Sequence, residues 1–333
     1  MIIVTGGAGF IGSNIVKALN NQGRTDVVVV DDLTNGTKFF NLRDCDIQDY
    51  VDKEDFLEKI ISGKSAGKAV KAIFHQGACS TTTEWDGRYM MRNNYEYSKE
   101  LLHYCQTRKI PFIYASSASV YGAGPVFKED RRYEAPLNVY GYSKFLFDQY
   151  VRHMLPKAKA QIVGLRYFNV YGPRQALSNP YTGVCAIFSA RIKNGNPPLI
   201  FEDGGQSRDF IHVSDIVRAN LFVMEHAEAD YGVFNVGTGR PTSIVEIARL
   251  LAPLYGKPAA QELTNKYRAG DIRHCYADPR ALARLGFTAA VALPDGLRDL
   301  VEWGKQEQAE DRVAAAAGEL EAHGLTKGSV NSP

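Results

Sequence analysis

No apolar run in these 333 residues approaches the roughly 18 that a membrane-spanning helix needs. No excess of one charge is present either: 39 Lys+Arg stand against 37 Asp+Glu, a net charge of +2. That balance argues against a binder of nucleic acid or anionic membrane, which needs a concentrated basic surface. The five cysteines, Cys45, Cys79, Cys105, Cys185 and Cys275, include no Cys-x-x-Cys pair, and the seven histidines lack ligand spacing. Reduced thiols in a cytoplasm and no metal site are therefore expected. The opening Met-Ile-Ile-Val-Thr-Gly-Gly has no basic stretch ahead of an apolar one, so no secretory leader is expected. With 45% hydrophobic and 23% charged residues the chain is expected to fold, in about two domains for its length.

What is present begins at the first residues. Ile2–Val4 is a short apolar run, followed by Thr5-Gly6-Gly7-Ala8-Gly9-Phe10-Ile11-Gly12 and an amphipathic stretch from Ser13 to Leu19. A second apolar run, Val27–Val30, ends at Asp31 and Asp32. Strand, glycine turn, helix and strand in that order suit a dinucleotide. The glycines let a pyrophosphate approach backbone N–H groups, and the helix N-terminus favours its charge. An acid at the end of the second strand, roughly 20 residues on, is where a ribose hydroxyl is held.

Further strand-like runs (Ala69–His75, Pro111–Ser116, Ala160–Arg166) alternate with helical ones (Asn94–Arg108, Tyr142–Met154). That alternation predicts an α/β fold with a parallel, doubly wound sheet of Rossmann type, whose ligands sit beyond the carboxyl ends of the strands. Residues 1–172 are read as the cofactor domain, with 208–238 returning to it through a helix over Ile211–Met224 and a strand over Gly232–Gly239. Residues 173–207 and 239–333 are read as a smaller α/β substrate domain. The tail from Gln306 to Pro333 reads as a fraying surface helix.

The run Pro111–Ser116 leads into Ser117-Ala118-Ser119, and Tyr140-Gly141-Tyr142-Ser143-Lys144 opens a helix. Tyr140 and Lys144 share a helical face. A phenol ordinarily titrates near 10, and a nearby ammonium lowers that value, which makes Tyr140 a usable base. Ser117 can hold a sugar oxygen and shuttle its proton. Tyr121 and Tyr142 read as core or wall aromatics.

Glycine turn, Ser-Ser strand end and Tyr-x-x-x-Lys together resemble the extended short-chain dehydrogenase/reductase family of nucleotide-sugar epimerases. The resemblance implies NAD or NADP, tightly bound and regenerated in each cycle, with Tyr140 as base, Lys144 tuning it and gripping the ribose, and Ser117 orienting the sugar. Residues 1–174 look like ADP-glycero-manno-heptose 6-epimerase, in Gly77-Ala78-Cys79-Ser80, Thr83–Met91, Leu137–Asp148 and Arg166–Arg174. That likeness implies cofactor contacts from Gly6, Gly9, Phe10, Ile11, Gly12, Gln76, Gly77, Ala78, Cys79, Asn93 and Val170. It also implies that Asp31, Asp32, Lys38 and Lys53 surround the adenosine end, with Lys38 placed for a 2′-phosphate or else a solvated loop lysine.

Residues 175–333 look instead like a dTDP-rhamnose or UDP-glucose 4-epimerase, in Gln175–Val184, Phe201–Phe210 and Tyr267–Arg273. The chain thus reads as a join of two subfamilies. The heptose pattern carries a second catalytic lysine shortly after Gly-Pro-Arg, where this chain has Ser178 and no lysine between Lys159 and Lys193. Arg208 and Arg268 are planar donors suited to a diphosphate, Asn169 can add a neutral donor and Phe201 offers a face to a base. Each arginine has an alternative as half of a salt bridge, with Asp209 or Asp271.

The reading is therefore NAD(P)-dependent epimerisation of a nucleotide-diphosphate sugar, by transient oxidation to a keto sugar and reduction on the other face, at C4. Alternatives are heptose 6-epimerisation, a 4,6-dehydratase, and a cofactor-sensing regulator without catalysis. Against the dehydratase, Ser116-Ser117-Ala118 stands where that subfamily has an acidic pair. A homo-oligomer, dimer or higher, is expected through the helices Asn94–Arg108 and Tyr142–Met154, with no nucleic-acid or membrane partner.

Overall fold

The structure, a computed structural model, describes residues 1–64, 69–82, 84–179, 183–226, 229, 232–264, 267–268, 272–313 and 326–327, the backbone alone at 267–268 and 326–327. The first half runs β1 (Ile2–Thr5), α1 (Phe10–Asn21), β2 (Val27–Asp31), β3 (Asp49–Asp52), α2 (Lys53–Ile61), β4 (Ala72–His75), α3 (Gly87–Met91), α4 (Tyr97–Arg108), β5 (Phe112–Ser117), α5 (Val139–Met154), β6 (Ile162–Tyr167) and β7 (Asn169–Tyr171). The second runs α6 (Val184–Lys193), β8 (Leu199–Ile200), β9 (Ser207–His212), α7 (Val213–Glu225), β10 (Gly232–Val236), β11 (Pro241–Ser243), α8 (Ile244–Leu254), β12 (Glu262–Leu263), β13 (Tyr267–Arg268), β14 (His274–Cys275), α9 (Arg280–Arg284), α10 (Leu293–Gln306) and β15 (Thr326–Lys327).

Strands β1 and β2 are buried along their whole length, as strands covered on both faces must be. They lie in a seven-stranded sheet of order β3-β2-β1-β4-β5-β6-β10, parallel throughout. One face packs on Ile15, Val16 and Leu19 of α1 and Ile216, Val217 and Val223 of α7. The other packs on Phe56 of α2, Leu101 and Leu102 of α4 and Phe147 and Val151 of α5. This is the doubly wound α/β fold. The strand order reverses between β1 and β4, so a crevice opens beyond their carboxyl ends.

Helix α5 starts earlier than its apolar spacing suggests, and α4 later. Helix α5 begins at Val139, capped by the Asn138 side chain, so Tyr140 and Lys144 both lie within it. A π-helical stretch over Arg92–Glu96 precedes α4. Helix α4 ends at Lys109, which adopts φ +55 ahead of Ile110 and Pro111.

The second sheet joins β7, β9, β11 and β14, backed by α6, α8 and α10, whose Cys185, Phe188, Ile247, Leu251, Leu297 and Leu300 form a core of their own. The return to the large sheet is shorter than the expected 208–238. Ile211 and His212 are not helical; they are the end of β9, in register with Val170 and Tyr171 of β7, and the helix starts at Val213. Of that stretch, β10 joins the large sheet and α7 covers it, and β10 stops at Val236 rather than Gly239. In the tail, residues 308–312 are irregular rather than helical, β15 pairs with β13, and the remainder of the expected helix lies outside the described residues. No helix among the described residues is long and apolar enough to cross a membrane.

Candidate active site

A cleft of about 640 Å³ lies where the strand order reverses and extends under the second sheet. Its floor is the glycine turn. Gly6 has φ +66, and a Cβ there would meet the Gly77 backbone at 2.6 Å; one on Gly12 would meet the Gly6 carbonyl at 2.1 Å. Side chains are thus barred from the place where a diphosphate must approach the backbone. Helix α1 starts with Gly9 as its cap, without a side-chain hydrogen bond and without an acid in the first turn, so its N–H groups and dipole face the cleft uncompensated. These residues fit a dinucleotide.

Asp31 closes β2 beside that turn. Its carboxylate accepts the N–H of Ala8 at 2.8 Å and of Asp32 at 2.7 Å, and pairs with the Lys38 ammonium at 2.9 Å. Asp31 and Lys38 line the cleft, as do Gly6, Gly9, Phe10, Ile11, Gly12, Gln76, Gly77, Ala78 and Val170. Asp32, Lys53, Asn93 and Cys79 are not among the lining residues. Lys53 donates to Asn93 at 3.2 Å and pairs with Asp32 at 3.4 Å, so these three hold one another. Thr34 backbone and side-chain hydrogen bonds and Lys53 hold the Asp32 carboxyl down at about 2. Cys79 is gripped through its backbone: Asn94 accepts its N–H at 2.8 Å and donates to its carbonyl at 2.9 Å. The π turn carries Asn94, 1% exposed, into that position.

Ser117, Tyr140 and Lys144 meet at the middle of the cleft. The Ser117 hydroxyl hydrogen-bonds the Tyr140 phenol, while burial pushes the phenol's pKa up. Lys144, one helical turn on, has a contact of its own. Its ammonium donates to the Ala115 carbonyl at 2.8 Å, and Ser117 is what pulls the phenol's pKa down. Burial brings Lys144 to about 8, against the nearby Asp148 carboxylate, which favours the charged form.

Asp148 belongs to a buried network that the sequence did not disclose. It accepts from Tyr114 and Ser116 at 2.9 Å each and from Arg166 at 2.8 Å, and Arg166 also pairs with Glu134 at 2.5 Å. Tyr121 sits in this core, donating to Asn235 at 2.6 Å, whereas Tyr142 is 45% exposed. A second hidden chain runs under the glycine turn. Ser98 gives its only proton to the Asn94 carbonyl, so it accepts from Nε2–H of His75, and Nδ1 accepts from Thr5 at 2.6 Å. Burial and the Lys144 charge hold His75 down at about 3, hence neutral.

The far end of the cleft is lined by Asn169, Phe201 and Arg208, together with Val184, Ile187, Phe188, Leu199, Gln206, Ile244 and Val313. Arg208 donates to the Ser207 carbonyl at 3.0 Å and the Arg273 carbonyl at 3.2 Å, while the Asp209 carboxylate accepts from Thr238, Gly239 and Ala277. Gln206, 4% exposed, donates to the Phe201 carbonyl and leaves its Oε1 unpartnered. The Arg268 side chain lies outside the described residues. Ser178 does not line the cleft; its hydroxyl accepts the N–H of Glu310 at 3.1 Å.

Comparison with known proteins gives a consistent picture. Residues 2–237 match the model of the NAD dependent epimerase/dehydratase family. UDP-glucose 4-epimerase of Thermotoga maritima, solved with UDP-glucose, is 33% identical with a TM-score of 0.82, over 92% of this chain and 98% of that one. UDP-glucose 4-epimerase of Thermus thermophilus, solved with NAD, is 28% identical with a TM-score of 0.77, over 92% and 99%. ADP-L-glycero-D-manno-heptose-6-epimerase of Helicobacter pylori is 28% identical with a TM-score of 0.78, over 92% and 96%. Both kinds of likeness run well past Arg174.

Proposed function

This chain belongs to the NAD dependent epimerase/dehydratase family, as an enzyme of the nucleotide-sugar epimerase type, and we propose that it inverts C4 of a pyrimidine-nucleotide sugar. Gly6, Gly9 and Gly12 with the α1 N-terminus would hold the cofactor's diphosphate, Asp31 its adenosine ribose and Lys144 the other ribose. The bound cofactor would supply the redox chemistry, hydride transfer from and back to the sugar. Tyr140 accepts the hydroxyl proton, Ser117 holds the sugar oxygen, and Tyr140 returns the proton once the keto sugar has turned. Arg208, Arg268 and Asn169 hold the diphosphate, and Phe201 and its apolar neighbours take the base.

One observation carries the choice of C4 over heptose C6. Among the described residues lining the cleft, the side chains that can exchange a proton near Ser117 are Tyr140, Lys144 and Tyr167, and Tyr167 is occupied with Gln76 and Asn220. The position of the heptose enzymes' second lysine is Ser178, bonded to Glu310 away from the cleft. A single base suits a sugar that turns between the two transfers. NAD is favoured over NADP because a 2′-phosphate would meet the Asp31 carboxylate with Asp32 next to it.

Five unpaired cysteines suit a reducing cytoplasm, and the open face of α4 and α5, with Tyr142 exposed, is where a second copy would pack. The deciding assay offers UDP-glucose, dTDP-rhamnose and ADP-heptose side by side with NAD and follows each by NMR. Interconversion of a pyrimidine-nucleotide sugar at C4 is expected. Turnover of ADP-heptose alone would overturn the reading.

A further inference from the structure

Directly beyond α10 the chain stays against the protein as far as Val313. Residues 307–313 run back along α6 and are fastened at several points. Lys193 donates to the carbonyls of Gly304 and Glu307 at 2.5 Å each, and Asn194 donates to the Ala309 carbonyl at 2.9 Å. Ser178 takes the Glu310 N–H. Arg191, one-tenth exposed, pairs with Asp311 at 3.3 Å, and Asn196 donates to the same carboxylate at 2.7 Å. Asp311 in turn accepts the N–H of Val313 at 3.1 Å. Val313 then lines the cleft, together with Val184, Ile187 and Phe188 of α6. Farther on, β15 pairs antiparallel with β13, the strand that carries Arg268.

We propose that this C-terminal strap is part of the nucleotide-binding wall, with Val313 a specificity-determining residue for the base and Asp311 its positioning residue. The inference rests on the reading of the site as a nucleotide-sugar cleft. The chemistry is that of an apolar lid strip. Val313 adds to a wall of aliphatic side chains at the end of the cleft that also holds Phe201 and Arg208, so it excludes water from a flat base whose diphosphate the arginine holds. Asp311 acts at a distance, since its partners are Arg191, Asn196 and the Val313 backbone rather than the ligand. The buried position of Arg191 makes that pair firmer than an exposed one.

The test measures binding of UDP and of NAD, each by calorimetry, to the full chain, to a chain ending at Gln306, and to the full-length variants Asp311→Ala and Val313→Ala. Loss of the strap is expected to weaken UDP about tenfold or more, and each point variant about three- to tenfold, the scale of one well-buried aliphatic contact. NAD affinity should stay within about twofold in all three, and kcat with a nucleotide sugar should change less than KM. Equal UDP affinity in the full chain and all variants would overturn the strap while leaving the proposed function intact. A parallel loss of UDP and NAD affinity in the point variants would also overturn it, as damage to the fold. Failure of the full chain to bind UDP at all would instead overturn the reading of the site beneath it.

Discussion

Lys38 extends its ammonium to 2.9 Å from Asp31, whose side chain is 6% exposed while that of Lys38 is 35% exposed. The acid is thus held by a lysine that a 2′-phosphate would have to draw away. Lys38→Ala should leave NAD affinity within about threefold, because Asp31 keeps two backbone donors and a half-exposed ion pair is worth about 1 kcal/mol or less. The NADP-to-NAD preference should move by less than about tenfold in a fluorescence titration, and Asp31→Asn should move it toward NADP. A hundredfold loss of NADP alone in Lys38→Ala would show the lysine serving the phosphate.

Tyr140→Phe keeps the ring and removes the proton carrier. Turnover should fall about 10²–10⁴-fold with cofactor affinity unchanged. Activity within threefold of the parent would remove Tyr140 from the role of base.

Ser117→Ala removes the hydrogen bond that pulls the phenol's pKa down against the effect of burial. The base must lose its proton to act, so the rising limb of activity against pH should move to more alkaline pH. At neutral pH turnover should fall and recover partly as pH rises. A limb that stays in place in the pH profile would assign the tuning of Tyr140 elsewhere.

His75 titrates at about 3 in the folded protein, below its ordinary 6.5, so the unfolded chain takes up a proton first as pH falls. Its contribution to stability is complete above pH 6.5 and declines toward pH 3. Between pH 6.5 and 4.5 the loss should be about 2 kcal/mol. Denaturant unfolding of the protein and of His75→Asn at the two pH values measures the difference. Identical slopes would exclude His75 as the source.

What the sequence discloses here is local. Strand, glycine turn, helix and Asp31 follow one another in a single βαβ unit, and Tyr140 and Lys144 lie one helical turn apart, so spacing alone reveals both. The hidden parts join residues far apart in the chain. Thr5 meets His75, Asp148 meets Arg166, and Arg191 meets Asp311, and no periodicity links such partners. The start of α7 escaped for a related reason. Ile211 and His212 fit a helical pattern, but pairing with β7 claims them as strand, and tertiary register overrides local preference. The contact of the Lys144 ammonium with the Ala115 carbonyl is likewise one that no sequence pattern announces.

The position of β10 at the edge of the large sheet, beside β6, bears on how such proteins exchange parts. A recombination at Arg174 brings in more than a new sugar-binding lobe. It replaces an outer strand of the cofactor sheet, with α7 as its covering helix, so the incoming segment must match Val163, Leu165 and Tyr167 across the β6 ladder and Leu19 across the helix seam. Grafts intended to change the sugar alone therefore need two breakpoints that leave residues 213–236 with their original host.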